Sequence, residues 1–78
     1  MTEEKRREIL DYYVDGQWES LKNYLDIVAF QLKDYGERLQ TEAFREMAVI
    51  DAADFLRYAA SNIEARRDAI RALEAEKL

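Results

Sequence analysis

The sequence predicts an all-α protein, a small antiparallel bundle of three helices. Two observations carry that reading. There is no Pro and there are only two Gly, while Ala, Leu, Glu, Arg, Lys and Gln abound. Those residues cost least in a helix. The apolar residues also recur three and four apart, and nothing alternates at the period of a strand.

The first helix is expected from about Glu3 to Val14. Thr2 can cap it, and Glu3 and Glu4 suit the positive end of its dipole. Its apolar face is short: Ile9, Leu10, Tyr13 and Val14. The stretch "VDGQW" is expected to end it, with Asp15 or Gly16 starting the next helix.

The second helix is expected from about Gln17 to Tyr35. Trp18, Leu21, Leu25, Val28, Leu32 and Tyr35 form one stripe at 100° per residue. Ile27 and Phe30 fall outside it, so this helix is expected at the centre, covered on two sides. Gly36 is expected as a left-handed C-cap.

"ERLQT" connects to a third helix capped by Thr41. Phe44, Ala48, Val49, Ala52, Phe55, Leu56, Ala59 and Ile63 define its main face. Ala48, Ala52 and Ala59 would let another helix approach closely. "SNIE" at Ser61 fits a capping box. The third helix therefore either breaks there into a fourth or runs on to about Lys77. A continuous third helix would be roughly 54 Å long against about 28 Å for the second. Its end would then project alone. Trp18, Leu25 and Phe55 are expected to be mostly buried.

At 78 residues the chain allows one domain, 1–78. A domain this small buries only about 60% of its unfolded surface. With no Cys and no His, neither a disulfide nor a zinc site reinforces it. Self-association is the remaining common source of stability. No cofactor or metal is expected.

The net charge is −5 and is spread along the chain. Met1–Val14 carries −1, Asp15–Gly36 −2, Glu37–Ala60 −2, and Ser61–Leu78 is neutral. Such a surface disfavours direct binding to a phosphate backbone. There is no bilayer-length apolar run and no secretory signal. A soluble, cytoplasmic protein is expected.

Little in the sequence supports catalysis. Ser20, Ser61, Thr2 and Thr41 have capping or surface explanations, and no base is placed beside them by pattern. No Gly-rich phosphate loop exists. Two acidic pairs occur, Glu8 with Asp11 and Asp51 with Asp54. On facing helices such pairs can hold Mg²⁺. They resemble the acidic pairs of all-α nucleotide pyrophosphohydrolases, which would imply Mg²⁺-dependent nucleotide hydrolysis. The pairs are far apart, the first has a single Glu, and no basic pocket accompanies them, so no membership is claimed. "WESLKNYL" resembles the start of a tetratricopeptide repeat. Lys22 stands where a small residue belongs, the Tyr falls one position early, and there is no second copy.

Asp54 lies opposite the main face of the third helix and Asp51 at its edge. Arg57 and Tyr58 can reach Asp54 along the helix. Met47, Ile50 and Tyr58 share its outward side. A mixed patch of Met47, Ile50, Asp54 and Tyr58 suits a protein-binding surface. Past Ser61, a narrow stripe of Ile63, Arg66, Ile70 and Leu73 suits a seam between chains.

The expected function is non-catalytic protein binding by an adaptor, inhibitor or assembly factor, itself a homodimer through its C-terminal helix. The first alternative is an acidic nucleic-acid mimic that inhibits a nucleic-acid enzyme, as some phage-encoded inhibitors do. Asp11, Asp15, Glu19, Asp26, Asp34, Asp51 and Asp54 would stand for phosphates. The second alternative is the Mg²⁺-dependent enzyme.

Overall fold

Apolar spacing that continues through Asp15 and Gly16 joins the first two expected helices into one. The computed structural model describes residues 1–77. It is a hairpin of two long helices, α1 at Glu3–Arg38 and α2 at Arg45–Lys77. One 3₁₀ turn, Glu42–Phe44, leads into α2. The hairpin is a rod of 62 × 16 × 12 Å. The expected three-helix bundle is therefore corrected to a two-helix hairpin.

The reason lies in the register of α1. Leu10, Val14, Gln17, Leu21, Tyr24, Val28, Gln31 and Tyr35 step four and three apart without interruption. A break at Gly16 would detach Leu10 and Val14, which are both buried. A single Gly inside a helix costs only about 1 kcal/mol relative to Ala. Packing along the whole helix outweighs that local cost. Gly36 is also corrected. It lies inside α1, and neither glycine has a positive φ.

Thr2 caps α1, its Oγ1 accepting from the Lys5 N–H at 3.1 Å. The helix ends on Leu39, whose N–H donates to the Tyr35 carbonyl at 3.1 Å. Gln40 N–H donates to Glu37 O and Thr41 N–H to Arg38 O, which tightens the turn. The Arg45 Nε–H then donates to the exposed Leu39 carbonyl at 3.0 Å. A carbonyl at the end of α1 is thus satisfied by a side chain from the start of α2.

α2 passes Ser61 without a break, so of the two expectations for the third helix the continuous one holds. Its C-terminal part does not project alone. At 36 residues α1 is about 54 Å long, against about 50 Å for the 33 residues of α2, and runs beside it.

In heptad terms, Val14, Leu21, Val28 and Tyr35 occupy position a of α1. Leu10, Gln17, Tyr24 and Gln31 occupy d. On α2, Ala52, Ala59, Arg66 and Leu73 occupy a, and Ala48, Phe55 and Asn62 occupy d. Every one of these is buried or half-buried. Ala48 and Ala59 are 1% and 2% exposed, so the helices meet closely there. Toward the open end, Val14, Leu21 and Ile70 form a cluster with Ile63 and Leu73 against it. Ile63 and Ile70 belong to the next row, e. The seam shifts because straight helices drift about 20° per heptad.

Two of the three residues expected in the core are not there. Trp18 and Leu25 are 48% and 45% exposed. Phe55 is half-buried, with its ring 5.7 Å from that of Tyr35. One neighbouring helix covers two rows, a and d, while the apolar stripe of α1 has a third row beside them. Among the described residues no helix is long and apolar enough to cross a membrane.

Candidate protein-binding site

Two antiparallel helices make a flat layer with two broad sides. The e rows of both helices turn to one side and the g rows to the other, because reversing one helix mirrors its wheel. On the g side stand Tyr13, Ser20, Ile27 and Asp34 from α1, with Phe44 of the 3₁₀ turn and Asp51, Tyr58 and Ala65 from α2. On the e side stand Trp18, Leu25, Leu32 and Leu39, with Val49, Leu56 and Ile63.

The g side carries a groove near the turn. It encloses about 370 Å³ and is lined by Arg38, Phe44, Met47, Ala48 and Asp51. Each residue has a structural reason to be there. The 3₁₀ turn throws Phe44 out beside the seam, where it is 60% exposed. Ala48 forms the floor because only a methyl group separates the two helices there. Arg38 is held in place by an ion pair to Asp34 at 2.9 Å, with its guanidinium 5.7 Å from the Tyr35 ring centre. The groove therefore has an apolar body with a cation and a carboxylate at its margin.

The residues expected to bind a partner continue from it. Met47, Ile50 and Tyr58 are 60%, 54% and 67% exposed. Asp54 is exposed and accepts from Arg57 at 2.9 Å. At 100° per residue the four span an arc of roughly 80°. Met47 joins the groove, while Ile50 faces furthest from α1. Ile27 and Phe30, expected on the second covered side of a central helix, are 67% and 76% exposed. No separate helix covers them or Met47 and Ile50. Sequence reasoning missed Arg38 and Phe44 as groove residues. Their only signal was proximity to the turn.

The residues expected to join two chains have partners on α1. Ile70 is 1% exposed, against Val14 and Leu21. Ile63 and Leu73 pack on that cluster. Arg66 donates to Ser20 Oγ at 2.7 Å and lies 4.8 Å over the Tyr24 ring. They look inward because α1 is long enough to reach them.

The acidic residues are scattered. Glu8 and Asp11 sit near the open end and Asp51 and Asp54 near the turn, roughly 40 Å apart along the rod at 1.5 Å per residue. Within one chain the two pairs cannot share an ion. Among the described residues no three carboxylates gather to hold a metal. Asp26 pairs with Lys22 and Asp34 with Arg38. Carboxylates already neutralised by neighbours are poor substitutes for phosphates.

Fold and surface together define an elongated helical hairpin with two unlike sides, one mixed and aromatic, one apolar. No protein family matches the chain, and no similar curated protein or solved structure was found.

Proposed function

We propose that the protein is a non-catalytic protein-binding module, an adaptor, inhibitor or assembly factor. Its partner would seat an apolar side chain in the groove beside the turn. The observation that supports this is the groove itself: Phe44, Met47 and Ala48 form an apolar body, and Arg38 and Asp51 stand at its margin. Exposed Met47, Ile50 and Tyr58 extend it outward. Aromatic and Met side chains with charges at the rim are the usual composition of a binding hot spot. A cytoplasmic setting fits a chain without Cys. Self-association belongs to the same reading. Since Ile63, Arg66, Ile70 and Leu73 have partners within the chain, its seam lies on another surface.

The test is affinity purification from the native host followed by mass spectrometry. Wild type is compared with a variant carrying Met47→Asp and Tyr58→Ala. Both sites are exposed, so circular dichroism should match wild type. A protein enriched by wild type and lost with the variant supports the reading. Identical recovery by both overturns it.

A further inference from the structure

We propose that two copies pack e side to e side, forming a four-helix bundle from two hairpins. The inference deepens the self-association part of the proposed function and is independent of the groove.

The first argument is the row itself. Trp18, Leu25 and Leu32 on α1 and Val49 and Leu56 on α2 all stand at e. They are 48%, 45%, 36%, 56% and 48% exposed. An isolated pair of helices needs apolar residues only at a and d, and normally carries charge at e. A third apolar row in each heptad marks a helix that faces a bundle core. The g rows do not share this pattern, since Asp34 and Asp51 interrupt them. On α1 the e row meets charge at Asp11 and Glu4, both on the open-end side of Trp18.

Geometry makes the face continuous. The hairpin brings residues whose numbers sum to about 90 to the same height, as Tyr35 with Phe55 and Tyr24 with Arg66 show. Leu32 therefore stands level with Leu56, and Leu25 with Ile63. The next position outward holds Ala29, Ala53 and Ala60 along this stretch, small enough for partner helices to come close. Along this stretch the face is an apolar band over both helices, bounded near Trp18 by Lys22 and Arg67.

Area selects the occupant. A folded monomer of 9.2 kDa is expected to expose about 4,900 Å² by size scaling. This chain exposes 6228 Å². The excess is what a rod one layer thick must show. From Trp18 to Leu39 the apolar part of the face runs about 32 Å at 1.5 Å per residue, so across the 16 Å width of the rod two copies would cover roughly 1,000 Å² in total, about what a specific interface needs. A second copy presents a band of the same length and width, with charge at its ends, at Asp15, Lys22, Glu46 and Arg67, and none along the stretch between. A twofold axis through the band makes such a surface self-complementary.

Two measurements test this together. Sedimentation velocity from low to high micromolar should give twice 9.2 kDa for wild type. Leu25→Glu with Leu56→Glu should give the single-chain mass. Met47→Glu with Tyr58→Glu, on the other side, should leave the dimer intact. Trp18 is the only Trp, so its acrylamide quenching should fall at least twofold as the dimer forms. A wild-type monomer at high micromolar concentration overturns the proposal. So does a dimer broken by the Met47 and Tyr58 changes but not by those at Leu25 and Leu56. If the Leu25 and Leu56 variant unfolds, the quenching decides: a wild-type dimer with Trp18 fully accessible also overturns it.

Discussion

Gly16→Ala should stabilise the protein. Gly16 lies within α1, at a position facing away from α2. Its φ is not positive, and a Cβ built on it meets nothing within 4 Å. The methyl group therefore costs no strain and displaces no neighbour. Replacing Gly by Ala in a helix interior is worth about 1 kcal/mol, largely through the freedom the unfolded chain loses. For a domain of this size that raises the thermal midpoint by about 4–8 °C. The assay is a melt followed by circular dichroism at 222 nm, both proteins at one concentration, because association also moves the midpoint. Gly16→Pro is the opposite arm. It removes an N–H bond and sets its ring against the Tyr12 carbonyl, costing about 3 kcal/mol or more. If α1 instead breaks at Asp15–Gly16, glycine serves as the cap, where Ala is the worse residue. The Ala variant would then melt at or below the wild-type temperature, and the continuous helix would be refuted.

Three further outcomes are expected. Ile70→Ala empties the centre of the Val14–Leu21–Ile70 cluster and should cost about 2–5 kcal/mol, read by urea denaturation. Arg66→Ala removes both the bond to Ser20 and the contact with Tyr24. Because Arg66 is half-buried it should cost about 1–2 kcal/mol, with Arg66→Lys recovering only part, again by urea titration. Asp51→Asn with Asp54→Asn should leave the melt almost unchanged, since the Asp54–Arg57 pair is largely exposed and such pairs contribute about 0–1 kcal/mol. Calorimetry of the wild type with Mg²⁺ should show nothing tighter than about millimolar. A micromolar isotherm lost in the double variant would return the enzyme reading.

The helical class was legible because composition and period agree along the chain. So were the Thr2 cap and the alanines that draw the helices together, since each is a local feature with one physical use. The number of helices was not. Gly16 and Gly36 signal breaks locally, and only the partner helix, distant in sequence, supplies what overrides them. Trp18 and Leu25 were read as core because the stripe expected for the second helix joins rows a and e. α2 covers rows a and d instead, and which two rows it covers depends on the pairing of the helices. Met47, Ile50 and Tyr58 were legible as outward residues from their angle alone. Arg38 and Phe44 became part of the groove only once the turn had folded back.

The seam between the helices is uneven, and this orders the folding of the hairpin. Next to the turn the helices touch through Ala48, Ala52 and Ala59 and one ring pair, Tyr35 with Phe55, contacts that close the shorter loops. At the open end they touch through Val14, Leu21 and Ile70, and Arg66 reaches Ser20 across 46 positions of chain. Closing so long a loop in one step is entropically costly, while extending an existing turn is not. The hairpin therefore zips from the turn outward. Its aliphatic cluster of Val14, Leu21 and Ile70 forms last.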